Sequence, residues 1–240
     1  VGAGEGGRGG GGRNTVTSVG RTAAGCLATV LSGQPQLPAS TLAWINALRA
    51  EAGNRLDVLT LPTLRDEEWR FTDISQLTKL SFSPALSATY LETADIAHFY
   101  VEEASTRLVL VDGIHAPQLS SVTSNSGMVV SNLPTVLATH AAAIEAHLGR
   151  HAAFRDNVFA ALNTAFLHDA AVIVVPRNVA LAAPVHRLFI ATPKEAVTTP
   201  RCLVVAETGS VVPGLGDYGQ FSPPRVAVEP CLTRAVPRVR

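Results

Sequence analysis

The stretch Pro62-Thr-Leu-Arg-Asp-Glu-Glu-Trp-Arg-Phe-Thr-Asp-Ile-Ser-Gln-Leu77 organises the reading of this chain. Pro62 and Thr63 spell a helix start, with Thr63 as N-cap and Asp66 placed to answer it. Asp66, Glu67 and Glu68 then fall in the first turn, where the helix dipole favours negative charge. Asp73 is a second cap, with Gln76 at capping-box spacing. The pattern predicts two short helical pieces meeting at Trp69-Arg70-Phe71, two rings around one guanidinium. The physical expectation is structural: the rings anchor a helical hairpin to a core, and Arg70 pairs with a neighbouring carboxylate.

The totals set the bounds around that stretch. At 240 residues and 47% hydrophobic content the chain has room for one domain or two small ones with a buried core. Formal net charge is zero, so no electrostatic footprint points to nucleic acid. Cys26, Cys202 and Cys231 are odd in number and far apart, with neither zinc-site nor disulfide-framework spacing, which fits a reducing compartment. No apolar run approaches the roughly 18 residues of a membrane span; the longest, from Ala170 to Val175, is stopped by Pro176.

Residues 1–38 differ in composition from the rest of the chain. Gly6 to Gly12 is nearly pure glycine, Glu5 is the only acid before Glu51, and Arg8, Arg13 and Arg21 alternate with Ser, Thr and Ala. Such chain cannot recover its ordering entropy by burial, so this leader is expected to be disordered. Its composition fits a transit peptide and equally a low-complexity leader.

From there a helix is expected from Ser40 to Ala52 with Gly53 as its stop, then the hairpin at 62–77, then mixed helix and loop from Ala85 to Glu103. Arg107-Leu-Val-Leu-Val-Asp-Gly113 reads as a strand ending in a turn, and Gly127 to Ser131 as another. Thr135 to Leu148 and His151 to His168 read as two amphipathic helices forming a hairpin packed on one face. After Asp169 the period changes. Val172 to Pro176, Val185 to Ala191 and Arg201 to Glu207 are β runs with no helix between them, which suits a sandwich or the first coil of a β-helix.

Glu67-Glu-Trp-Arg-Phe-Thr-Asp-Ile74 resembles the Glu-Glu-Trp-Arg-(Tyr/Phe)-Thr-Asp-(Leu/Ile) signature near the start of SufD, in the SufB/SufD family of scaffold subunits that serve SUF iron–sulfur cluster assembly. Four later segments resemble the family in the same order: Leu110-Val-Asp-Gly113, Phe159-Ala-Ala-Leu-Asn-Thr-Ala-Phe166, Val172 to Pro176 with Ala183-Pro-Val185, and Arg201-Cys-Leu-Val-Val-Ala-Glu207. The resemblance implies an α+β N-terminal domain over 39–168, followed by the first coils of a right-handed parallel β-helix over 169–211. It implies a non-enzymatic scaffold, with SufB and the ATPase SufC as partners and without nucleic acid or membrane. Any iron–sulfur cluster would belong to the whole complex, and this chain alone would bind no cofactor. Glu68, Trp69, Arg70, Phe71, Thr72 and Asp73 are its signature residues, structural or partner-facing. With the leader, the implied location is the plastid stroma; a bacterial cytoplasm is the alternative.

The chain departs from that pattern in two places. Ala170 follows Asp169 where the family has Gly, so that turn is expected to be tight. Beyond Val212 the sequence turns Pro- and Arg-rich and loses all periodicity, so 212–240 reads as foreign or disordered sequence. Against the resemblance the chain thus reads as truncated, which leaves a non-functional or regulatory short product as an alternative.

No phosphate loop, dinucleotide fingerprint, nucleophile elbow or HExxH helix occurs. No catalytic or metal residue is assigned. The one constellation is histidine: His140, His147 and His151 at spacings of seven and four, with His168 closing the next helix. A metal site would want that spacing plus converging carboxylates, and Gly149-Arg150 is expected to break the helix and spoil it. A small hydrolase using His140 or His147 as base is the rival reading, and it has no accompanying nucleophile motif. Cys202, inside an apolar strand, is expected to be buried and inert.

Overall fold

The structure is a computed structural model, and it describes residues 27–80, 82–123, 127–192, 196–212 and 225–227. The leader through residue 26 and most of the segment after Val212 therefore lie outside the described residues. In chain order come helix α1 (Ala28–Leu31), helix α2 (Ala43–Leu56), strand β1 (Ser83–Pro84), helix α3 (Thr93–Ile96), strands β2 (Thr106–Val111), β3 (Ile114–His115) and β4 (Val129–Asn132), then helices α4 (Leu133–Glu145) and α5 (Val158–Ala165). Strands β5 (Ala171–Val175), β6 (Val185–Ile190), β7 (Ala196–Val197), β8 (Cys202–Ala206) and β9 (Arg225–Ala227) complete the order.

Two sheets carry the centre, ordered β3-β2-β6 and β4-β5-β8-β9. The β2–β6 and β5–β8 pairs are parallel, while β3, β4 and β9 add on antiparallel. All five residues of β5 are buried, because both faces of that strand are covered. Its alternate side chains go opposite ways. Val172 and Val174 pack with Leu133, Val136 and Ile144 of α4, while Ala171, Ile173 and Val175 pack with Leu108 and Leu110 of β2. The far face of β2, Val109 and Val111, closes on Ile96, Ala116 and Leu119. The order through the centre is thus helix, sheet, sheet and a short helical segment, with α2 packed on α5 in a separate cluster.

The five predicted runs appear as β2, β4, β5, β6 and β8, while the short strands β1, β3, β7 and β9 were not predicted. Asp112 and Gly113, with φ of 55° and 87°, form the tight turn between β2 and β3, the left-handed conformation that an Asp-Gly pair favours. Ala171 pairs with Cys202 and Ala180 bridges Val211, both in parallel, so each partner lies 31 residues further along the chain (171 to 202, 180 to 211). Arg225–Ala227, inside the segment read as aperiodic, pairs with β8.

The helices depart from the sequence reading. Residues 62–77 form no helical hairpin. The two pieces are 3-10 segments, Glu67–Trp69 and Ser75–Lys79, with Asp66 and Ile74 at their N-caps rather than Thr63 and Asp73. Their backbone bonds run from i to i−3, as from Trp69 to Asp66 and from Leu77 to Ile74, and with Glu67, Glu68, Arg70 and Phe71 exposed no buried face extends them into α-helices. The first long helix starts at Ala43 rather than Ser40 and runs through Gly53 to Leu56. Ala52 and Leu56 are fully buried against α5, and that burial outweighs the stop signal of Gly53. Helix α4 starts two residues earlier than expected, with Pro134 in its first turn, and kinks at His140. The segment from His151 to Asn157 is not helical, because the Asn157 side chain caps α5 by accepting from the backbone N–H groups of Phe159 and Ala160. Helices α4 and α5 do not form a hairpin on one face: α4 covers the β5 sheet and α5 packs on α2. Ala170 shows no left-handed strain; positive φ among the described non-glycine residues is confined to Asp112 and Asn178.

Candidate functional site

The signature segment stands on one hydrogen-bonded corner. The Asp66 carboxylate accepts from the Thr63 backbone N–H at 2.7 Å and from its hydroxyl at 3.1 Å, and Thr63 Oγ1 accepts from Arg65 N–H at 3.3 Å. These bonds satisfy the orphan donors that precede the 3-10 turn. The turn then closes through Trp69 N–H on the Asp66 carbonyl at 2.9 Å, and Thr72 N–H on the Trp69 carbonyl at 2.8 Å. Asp73 forms an Asx turn, accepting from Ser75 N–H at 2.8 Å. That backbone hydrogen bond holds the Asp73 carboxyl below its ordinary value, with the Ser75 side chain and Lys79 acting the same way.

Of the six signature residues only Trp69 turns inward. Its ring lies 5.5 Å from that of Phe159 on α5. Glu68, Arg70, Phe71, Thr72 and Asp73 are exposed, and Phe71 is 87% exposed. Arg70 reaches Glu67 at 3.7 Å and lies 4.6 Å from the Phe71 ring centroid. The expectation that both rings anchor the segment therefore holds for Trp69 and fails for Phe71. The carboxylate pairing of Arg70 holds, on the surface, where such pairs contribute little.

Between this corner and the start of α5 lies an open cleft of about 370 Å³, whose lining includes Asp66, Glu67, Glu68, Trp69, Asp156 and Phe159. Its walls are acidic and aromatic, and among the described residues its lining holds no Lys or Arg. Such a surface suits a cationic or hydrogen-bond-donating guest with an apolar body.

The histidines divide. His140 sits exposed at the α4 kink, with Nδ1 2.7 Å from Thr139 Oγ1. His168 bonds through Nδ1 to the Phe166 carbonyl at 2.8 Å. His147 and His151 do come together, Nδ1 to Nε2 at 3.4 Å, although Gly149 interrupts the helix between them. Desolvation lowers the His147 pKa, with the charges of His151 and Arg150 adding to it. Among the described residues no group of three or more His, Cys, Asp or Glu side chains could hold a metal ion. Cys202 is buried, and its sulfur accepts from the Arg187 guanidinium at 3.0 Å.

Sequence reasoning missed the polar groups that join distant segments. Arg201, 4% exposed, donates to Asn163 Oδ1 at 2.8 Å and to Thr164 Oγ1 at 2.7 Å. Burial draws its guanidinium pKa down to about 10. Asp169 accepts from the backbone N–H groups of His115 and Ala170 and from the Asn132 amide. Nothing local marks these residues, because most of their partners lie tens of positions away.

Residues 32–186 match the family model described as the SufBD protein N-terminal region. The chain is 36% identical over 177 residues to an iron–sulfur cluster assembly SufBD family protein of the cyanobacterium Synechocystis sp., covering 72% of this chain and 39% of that protein. It is 31% identical over 87 residues to a chloroplastic iron–sulfur cluster assembly SufBD family protein of Arabidopsis thaliana, covering 36% of this chain and 16% of that one. The chain thus spans well under half the length of the curated relatives it matches.

Proposed function

This chain belongs to the SufBD family through its N-terminal region, and from that premise we propose that it is a SufD-like scaffold component of iron–sulfur cluster assembly, docking with SufB and SufC. The observation that carries the proposal is the exposure of the signature: Glu68, Arg70, Phe71, Thr72 and Asp73 all face solvent. A buried signature would speak for packing. An exposed one, with a bare aromatic ring beside an acidic cleft, speaks for contact with another surface. The cluster is cargo of the assembled complex on this reading, and ATP hydrolysis belongs to SufC.

The step of 31 residues shared by the Ala171–Cys202 and Ala180–Val211 pairings supports a second element of the proposal, that residues 169–211 open a right-handed parallel β-helix. Over the described residues the sheets are small and not yet a stacked solenoid. The chloroplastic relative supports a plastid stroma as the location, and the cyanobacterial relative is compatible with the alternative, a bacterial cytoplasm.

The test is co-purification. The chain is expressed with SufB and SufC of the same source, and retention is measured by size-exclusion chromatography. Wild type is expected to co-elute with at least one of them, and a variant combining Glu68→Ala, Arg70→Ala and Phe71→Ala is expected to lose that co-elution while keeping its melting temperature. Independent migration of the wild-type chain in the presence of both proteins would overturn the docking proposal.

A further inference from the structure

The geometry points to a two-imidazole binding site for a borderline divalent transition-metal ion, formed by His147 and His151 on the connection between α4 and α5. Their facing nitrogens, His147 Nδ1 and His151 Nε2, lie 3.4 Å apart. A tetrahedral ion held at about 2.0–2.1 Å from each of two nitrogens requires them to be about 3.4 Å apart, so the pair already has the spacing of two ligands on one cation. The rings meet end to end, with centroids 5.7 Å apart and planes 25° from parallel, so each nitrogen faces the other, and a swing of about 35° in each ring brings both onto one tetrahedral ion.

The backbone beneath the pair is held in place. Leu148, between the two histidines, is buried in the α4 cluster, and its N–H bonds the Ile144 carbonyl at 2.8 Å. His147 N–H bonds the same carbonyl at 3.0 Å, and Arg150 N–H bonds the His147 carbonyl at 3.1 Å. Gly149 turns the chain with φ of 77°, closely covered by Leu48 of α2. This turn returns His151 to His147, which an unbroken helix would do by its i, i+4 spacing and which the Gly-Arg pair was expected to prevent. Donors placed by a fixed backbone lose little entropy on capturing an ion.

The chemistry selects the guest. Neutral imidazoles suit Zn²⁺, Ni²⁺ and Cu²⁺, and two nitrogens with no carboxylate grouped with them among the described residues disfavour Mg²⁺ and Ca²⁺. His151 is exposed, leaving the remaining coordination positions to water or to a donor from a partner. The site is separate from the acidic signature cleft, and it stands or falls independently of the scaffold proposal.

The test uses the whole chain, stripped of metal with a chelator and titrated with Zn²⁺ alone against a chromophoric competitor. One Zn²⁺ per chain is expected, with His147→Gln and His151→Gln each weakening binding at least about tenfold. His140→Gln and the double variant Cys26→Ser, Cys231→Ser are expected to leave the affinity unchanged. His151 is exposed, so its substitution leaves the fold intact and isolates the metal effect. Absence of Zn²⁺ binding by wild type would overturn the assignment, as would wild-type affinity in a folded His151→Gln protein. In either case the close nitrogens are a hydrogen-bonded pair and nothing more.

Discussion

Trp69 and Phe159 face one another with ring centroids 5.5 Å apart, and this pair fastens the signature turn to the first turn of α5. Two residues on, Phe71 is almost wholly in solvent. One aromatic of the signature therefore holds the segment and the other presents it. Trp69→Ala is expected to cost about 2 kcal/mol, from lost burial and the aromatic pair. Phe71→Ala is expected to change stability by less than about 0.5 kcal/mol while weakening partner co-elution. Urea unfolding of both variants checks the first half, chromatography with the partners the second. Equal destabilisation by the two changes would contradict this division of labour.

A second prediction concerns Arg201. Its guanidinium is buried and held by Asn163 and Thr164, with no acid among its hydrogen-bonding partners in the described residues. Thr164→Val keeps the volume of the side chain and removes the acceptor of Nη2. A buried charged donor left without its acceptor costs about 2 kcal/mol or more. The expected result is a lower denaturation midpoint with an unchanged m-value. A wild-type midpoint would mean that another group takes up that donor at no cost. Asn163 and Thr164 lie in the α5 segment and Arg201 leads into β8, so this contact also joins two of the segments that carry the family resemblance.

Acid should loosen the fold. Desolvation lowers the pKa of His115, His147 and His186, in each case as the largest cause. Asp169 opposes it at His115, while Arg107 and Arg187 add to it at His186. In the unfolded chain these groups take up protons near pH 6.5, and in the folded chain only at lower pH, so below about 6.5 the unfolded state binds more protons. Stability contributed by the neutral histidines is complete above that value and is lost as pH falls through it toward the lowered folded values. Chemical denaturation is expected to show a nearly constant midpoint from about pH 7 to 8 and a falling one from about pH 6.5 to 5. His147→Gln is expected to flatten part of that fall. A midpoint independent of pH across this range would refute the prediction.

What could be read from the sequence was what local chemistry decides. The Asp112-Gly113 turn, the β run from Val172 and the strand before Asp112 needed only β-branched periodicity and turn residues, and all are where they were expected. The helix boundaries were legible only in part. Gly53 reads as a stop until Leu56 is seen buried against α5, and Phe154 reads as a helical position until Asn157 is seen capping the helix behind it. At the candidate site, the Thr63–Asp66 bond follows from spacing, and Arg70 pairing Glu67 does too, whereas Asp73 accepts from Ser75 N–H in an Asx turn instead of forming the expected capping box with Gln76. The exposure of Phe71 and the approach of His151 to His147 do not, because the first depends on which surface α5 offers and the second on a glycine turn packed against Leu48. Buried ties such as Arg201 to Asn163 span 38 positions, beyond the reach of any local pattern.

The last prediction rests on Asp112, 1% exposed at the end of β2. Its carboxylate accepts from the backbone N–H groups of Thr89 at 3.0 Å and Thr192 at 2.8 Å, and from the Thr192 hydroxyl. It therefore closes the end of the β2–β6 pair and ties the loop before α3 to it. Asp112→Asn keeps the shape and tolerates the left-handed backbone, but turns an amide NH₂ toward donors. The expected cost is about 1–3 kcal/mol. Asp112→Ala removes every acceptor and adds about 1 kcal/mol for a residue unsuited to φ of 55°. In a double-mutant cycle, Thr192→Ala should cost less in the Asp112→Ala background than in wild type, because its hydroxyl has already lost that acceptor. Guanidinium unfolding of the four proteins measures the coupling. Strict additivity would show that the carboxylate is held by the two backbone donors alone.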